Sequence, residues 1–166
     1  RAMGGGNFTE WARNFYPVFN RDGLIIDVRH NNGGNIDSWI LGKLLRKAWF
    51  YWQPRVGHPA WNMQFAFRGH MVVLVDQGTA RAAEIVAAAL RDQARATLLG
   101  AKTLGLCGLT KAFPLEDGSA LRLTTALYYT PSGQVINEKG IIPDVVVEDK
   151  QPTPGKTLQN LRDEAL

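Results

Sequence analysis

Two stretches of this sequence can place backbone amides against negative charge. In the first, the apolar run Leu24-Ile25-Ile26 leads into the polar segment Asp27-Val28-Arg29-His30-Asn31-Asn32-Gly33-Gly34-Asn35, whose paired glycines can take backbone angles closed to other residues. In the second, Met71-Val72-Val73-Leu74-Val75 ends in the tight loop Asp76-Gln77-Gly78-Thr79, and an alanine-rich helix begins directly after it. The first turn of a helix leaves N–H groups without an acceptor, so donors from both loops could meet around an anion or an oxyanion. A hydrolase that attacks carbonyls needs such donors, a nucleophile beside them and a base within about 3 Å of that nucleophile. On residue types alone the plainer reading is that these are structural loops, since glycine turns that open helices are common.

The elements that position these loops follow from periodicity. Phe8, Trp11 and Phe15 at helical spacing predict a helix, and Arg21-Asp22-Gly23 is a turn signal before a buried strand over Leu24–Ile26. Asn35 or Asp37 can cap a helix from Ile36 to Phe50, with Ile36, Trp39, Ile40, Leu44 and Ala48 as its apolar stripe and Lys43, Arg46 and Lys47 on the solvated face. Residues 51–70 hold Tyr51, Trp52, Trp61, Phe65 and Phe67 between Pro54, Gly57 and Pro59. This is a long aromatic loop or a set of short strands, read either as a cover over the core or as part of a binding wall. A buried strand over Met71–Val75 precedes a helix from about Ala80 to Gln93 with Thr79 as its natural N-cap, and Arg91 and Arg95 complement the dipole at its far end. A short strand over Ala96–Leu99 follows. Asp117-Gly118 then predicts a hairpin between Pro114-Leu115 and Leu121–Tyr129, with Leu121, Leu123, Thr125, Leu127 and Tyr129 alternating on one face. Val145-Val146-Val147 is a last strand, and the polar tail from Lys150 ends in a helix over Leu158–Leu166. Repeated strand-loop-helix units with added hairpins define an α/β domain whose functional loops follow the strand ends.

Composition narrows the classes. The 166 residues are 45% apolar and 20% charged, which suits one core domain over 1–150 with a polar tail over 151–166 and excludes a disordered or collagen-like chain. Cys107 is the single cysteine, so a disulfide scaffold is excluded and it is a free thiol. No apolar run approaches the roughly 18 residues of a membrane helix. A net charge of +4, with neither basic cluster forming a phosphate track, gives no nucleic-acid partner and no membrane partner. No cofactor and no metal are expected. Uncovered strand edges and the aromatic stretch 51–67 favour a homo-oligomer.

Four segments carry a family resemblance: Asp27–Gly34 with the helix after it, Val72–Gly105, Pro114–Gly133, and Gly140–Asp144. Over residues 20–149 the chain resembles the tail-specific serine peptidases, the carboxy-terminal processing and tricorn-like proteases. Residues 8–70 are more similar to the tricorn-like branch, and 76–149 to the processing branch. The resemblance implies a ClpP/crotonase-like spiral of strand-loop-helix units, a polypeptide or peptide partner, and a periplasmic or extracytoplasmic location. It also implies an oxyanion or peptide-binding role for Gly33, Gly34 and Ala82.

The departures from the family pattern bear on activity. The processing branch reads like Ser-Ala-Ser-Ala-Ser-Glu-Ile with the middle serine as nucleophile, and that slot holds Arg81 here. Its general-base lysine slot, 25 residues further on, holds Leu106. Arginine stays protonated and leucine accepts no proton, so the pair cannot replace a serine–lysine dyad. The weaker candidates for a rescuing role are Thr79 and Cys107 as nucleophiles, His30 as the histidine of the tricorn-like branch, and Glu138 near that branch's acidic residue. The expected function is therefore a tail-specific peptidase core without hydrolytic activity that binds peptides or serves structurally. Arg81 either pairs with a peptide carboxylate or merely disables the site. The alternative is an active serine-type peptidase, or a fragment of one, that cleaves unstructured carboxy-terminal segments.

Overall fold

The computed structural model describes residues 2–147. Their frame is a four-stranded parallel sheet of order β1-β4-β5-β8, built from β1 (Gly23–Asp27), β4 (His70–Val75), β5 (Thr97–Gly100) and β8 (Val145–Val146). Between these strands lie α2 (Asp37–Leu44) and α3 (Ala82–Asp92), which pack on each other, and α1 (Asn7–Phe15) precedes the sheet. Two small antiparallel hairpins complete the fold: β2 (Tyr51–Trp52) with β3 (Ala60–Trp61), and β6 (Gly108–Pro114) with β7 (Ala120–Leu127). The predicted helix over 158–166 and the tail over 151–166 lie outside the described residues.

The core forms where the two helices meet the sheet. Val28, Ile36, Ile40 and Leu44 pack with Val73 and Val75 of β4, Val86, Ala87 and Leu90 of α3, and Leu98 of β5. Ala82, Ala83, Ala87 and Ala88 are all buried, so α3 presents a run of small side chains that lets its backbone come close to its neighbours. On α1, Trp11 stacks on Phe15 at 4.7 Å between ring centroids, and Phe8 meets Trp39 edge-on at 5.2 Å. The first contact is internal to α1, and the second ties the N-terminal helix to α2.

Several expectations are corrected. The strand over Leu24–Ile26 is not buried throughout, because β1 is a sheet edge whose second face lacks a helix and leaves Ile25 69% exposed. Helix α2 ends at Leu44 rather than Phe50, so Arg46, Lys47 and Ala48 lie beyond it and Trp39 is exposed instead of buried in the stripe. The stop has a specific cause. The Arg95 guanidinium donates to the carbonyls of Leu44, at 3.2 Å, of Gly69, at 3.1 Å, and of Phe67, which ends the helix on a side-chain cap and holds 67–69 against it. Arg95 is thus a clamp between segments rather than a dipole partner for α3. Burial pulls its pKa below the ordinary arginine value. Hairpin β6–β7 starts earlier than predicted, and an irregularity after Leu109 pairs Thr110 with Thr124 and leaves Thr125 without an opposite residue. The single alternating face over 121–129 is broken there, and every residue of β7 is exposed.

Arg95→Leu leaves three carbonyls without their donor and should lower stability by about 2–3 kcal/mol in a denaturant titration. Arg95→Lys should recover only part of the loss, because one ammonium cannot span all three oxygens.

Candidate active-site cleft

The turn from β4 into α3 is organised from below. Thr79 is fully buried; its hydroxyl lies 2.9 Å from the Val28 carbonyl and 3.1 Å from Asp76 Oδ1 and accepts from the Asp76 N–H at 3.0 Å. The expected helix cap is therefore corrected: Thr79 pins the loop to the β1 end, and the N-cap of α3 is Arg81. Asp76 Oδ1 also takes the N–H groups of His30 and Gly78. Ala80 N donates to Asn31 O at 2.9 Å, which joins this turn to the glycine loop.

Arg81 has φ 57° and ψ −125°, a backbone conformation that costs a non-glycine residue about 1–3 kcal/mol and that is met at functional turns. Gly33, with φ +78°, makes room for it: a Cβ there would stand 2.6 Å from the Arg81 Cβ. The result is a sharp strand-to-helix elbow that turns residue 81 outward.

Glu84 holds this elbow. Its carboxylate is fully buried and accepts four hydrogen bonds: from Thr103 Oγ1 at 2.6 Å, Gly105 N at 2.8 Å, Leu106 N at 3.0 Å and Arg81 N at 3.1 Å. Arg81 N also points to Leu106 O at 3.0 Å. Positions 81 and 106 are thereby joined through their own backbone groups and the Glu84 carboxylate, with no part taken by the side chain of either. The sequence reading missed this role, although a glutamate three residues after a helix cap within a run of alanines is the signal for it.

Arg81, Leu106, Gly34 and Ala82 line one cleft of about 260 Å³, together with Asp37, Thr110, Thr124, Tyr128 and Asn137. Ala82 N is the first amide of α3 and has no intrahelical acceptor. Gly33 N donates to Asn31 Oδ1 at 2.9 Å, so of the two glycines it is Gly34 whose amide remains for a ligand. Arg81 is exposed, and among the described residues its guanidinium forms no ion pair.

The remaining candidates fall elsewhere. His30 is exposed on a separate cavity, with Nδ1 3.0 Å from Asp76 Oδ2. Glu138 lies outside the cleft lining, and only its backbone takes part, donating to Gly105 O at 2.6 Å. The neighbour that does face the cleft is Asn137, whose Oδ1 accepts from Cys107 N at 3.1 Å. Cys107 is buried under the elbow, its Sγ 3.9 Å from Arg81 O. Burial, with Glu84 and Asp37 adding to it, pushes its thiol up to about 12. No group of three or more potential metal ligands gathers among the described residues.

The fold alone does not fix the activity, and a parallel α/β sheet with a strained elbow beside unengaged amides is the kind of frame on which carbonyl-attacking hydrolases are built. Comparison with known sequences makes it specific: the profile of peptidase family S41 matches residues 2–147, and the chain belongs to that family. It is 52% identical over 148 residues to the carboxy-terminal-processing protease of Bartonella bacilliformis, covering 84% of this chain and 34% of that protein. It is 30% identical over 148 residues to the tricorn protease of Thermoplasma volcanium, covering 88% of this chain and 14% of that one. Among solved structures it is similar to the tricorn protease, with a TM-score of 0.77 at 25% identity over 88% of this chain and 14% of that chain. It is similar also to the photosystem II D1 C-terminal processing protease, with a TM-score of 0.70 at 28% identity over 89% and 40%. The chain thus spans about a third of the length of the carboxy-terminal processing relatives.

Glu84→Gln puts an NH2 group against N–H donors and should lower stability by about 2–4 kcal/mol in chemical denaturation. Cys107 should resist iodoacetamide at pH 8 in the native chain and react after unfolding. An unfolded thiol titrates near 9.0 and the native one near 12, so between these values the native state binds the proton that the unfolded chain has lost. Stability is full below pH 9 and should fall as pH rises toward 12.

Proposed function

We propose that this chain is a peptidase-family core that has exchanged hydrolysis for binding, and that its cleft receives the carboxy-terminal end of an extended polypeptide. The observation that carries the reading is the pairing of Arg81 and Leu106 at the elbow held by Glu84. Acyl transfer there would need a side chain to give up a proton as it attacks and a second to take it. A guanidinium has no lone pair to donate, and an isobutyl group binds no proton. The other hydroxyls on the lining, Thr110, Thr124 and Tyr128, make no hydrogen bond to Asp37, the one carboxylate among the lining residues.

The same geometry suits a carboxylate. Arg81 offers a forked cation, the Gly34 and Ala82 amides lie on the same wall, and an anion at the start of α3 is favoured by its dipole. Gly108, Leu109 and Thr110 of β6 line the cleft and supply backbone for strand addition. Relatives named for carboxy-terminal processing favour a polypeptide end as the ligand. The wider frame is read as the ClpP/crotonase-like spiral, with residues 1–150 as one core.

A fluorophosphonate probe should leave the chain unlabelled, and an unfolded polypeptide should stay intact. Labelling at any cleft hydroxyl, or cleavage, overturns the proposal. By fluorescence anisotropy, peptides with a free carboxy terminus should bind about tenfold or more tighter than their amides, and Arg81→Met should erase the difference. The double change Arg81→Ser with Leu106→Lys should confer labelling at position 81; a folded double variant that stays unlabelled counts against the assignment of the two slots.

A further inference from the structure

The segment from Ser38 to Val75 contains Lys43, Arg46, Lys47, Arg55 and Arg68 and no aspartate or glutamate, so it holds more positive charge than the net +4 of the whole chain. At its centre the β2–β3 hairpin stands clear of the core, with every residue from 51 to 61 exposed. Both of its faces are aromatic. On one, Tyr51 pairs with Trp61 at 5.4 Å between ring centroids, and the Arg68 guanidinium covers Trp61 at 4.6 Å. On the other, Phe50 lies 4.7 Å from Trp49 and 5.3 Å from Trp52. Trp49 is 78% exposed, Trp52 63%, and Val56 at the tip 91%. A two-stranded hairpin of this size gains little stability from its own pairing, and packing among the described residues does not account for its exposed apolar surface.

Against the expectation of no membrane partner drawn from the net charge, we propose that this hairpin docks on an anionic phospholipid bilayer. Val56, Trp49 and Trp52 enter the boundary between headgroups and acyl chains, and Arg55, Arg46 and Lys47 meet the lipid phosphates. Indole rings favour that boundary because one edge is apolar and the N–H can stay wet. Basic residues with no intervening acid are drawn to an anionic leaflet. The early end of α2 contributes: Arg46 and Lys47 lie in the strand-ward approach to the hairpin rather than on a helical face. The tip between Pro54 and Pro59 carries one aliphatic side chain, Val56, beside Arg55 and His58, and this exposed valine favours lipid over single-stranded nucleic acid, whose bases stack on flat rings and gain nothing from it. No helix among the described residues is long and apolar enough to cross a membrane, so the contact is one that lies on the bilayer.

The test is co-sedimentation of the full chain with phosphatidylcholine vesicles made with and without phosphatidylglycerol. Binding should require the anionic lipid, weaken as salt is raised, and drop about tenfold or more in Val56→Asp and in Arg55→Glu. These positions are exposed, so the variants should keep the native circular dichroism spectrum. Val56→Cys labelled with a polarity-sensitive dye should shift to the blue on anionic vesicles, with buried Cys107 left unlabelled. Three results would overturn the proposal: no sedimentation with anionic vesicles, tight binding of a single-stranded oligonucleotide that Val56→Asp leaves unchanged, or a dimer without vesicle binding that Val56→Asp dissociates.

Discussion

One buried carboxylate sets the shape of the cleft. Among the described residues Glu84 has no charge partner in the interior; it is satisfied by three backbone N–H groups and one hydroxyl drawn from the start of α3 and from residues 103–106. A carboxylate accepts and never donates, so four donors converging on two oxygens form a complete set. Thr103 then passes the constraint outward: its Oγ1 accepts from Ile141 N at 2.7 Å, and Thr103 N donates to Ile141 O at 3.0 Å. The elbow, the loop over 103–106 and the approach to β8 are therefore one hydrogen-bonded unit, and in a low-dielectric interior such bonds are stronger than in water.

That unit is indifferent to the side chains at 81 and 106. Both residues are held by their amides, and the side chains project into the cleft as passengers. This explains how a frame similar to those of carboxy-terminal processing and tricorn proteases persists with an arginine and a leucine at two of its central positions. The cation is placed against the helix dipole, a penalty of a few tenths of a kcal/mol or more that an anionic ligand would relieve. Asp37 on the same wall moderates the positive field without forming an ion pair with Arg81 within the described residues.

How far the sequence could be read depended on whether an interaction is local. The α1 periodicity, the β4–loop–α3 unit and the Asp117-Gly118 turn are local, and each is present within a few residues of its expected place. The end of α2 was illegible because Arg95, 51 residues beyond Leu44, supplies the cap. The exposure of Ile25 depends on which sheet edge β1 occupies, and a three-residue apolar run cannot state that. At the site, Arg81, Leu106, Gly34 and Ala82 do share one cleft, whereas His30 and Glu138 are placed by long-range pairing outside it. Asn137 and the hairpin residues Thr110 and Thr124 entered the lining through tertiary approach alone, and only Glu84 left a local signature.

The direction in which Arg81 points follows from what lies behind it. Gly33 is packed so closely that the Arg81 Cβ already fills the space a Gly33 side chain would need, and the Ala82 amide and Ala80 carbonyl crowd the same spot. Below, Cys107 Sγ contacts the Arg81 carbonyl, and Glu84 occupies the remaining interior. A long side chain at this position has no inward rotamer, and burying a guanidinium beside the apolar core would cost far more than solvating it. The cleft is the direction left. A serine on this backbone would be aimed there by the same exclusion, so the geometry that presents a nucleophile and the geometry that presents a cation are one, and the chemistry of the cleft is decided by the side chain alone.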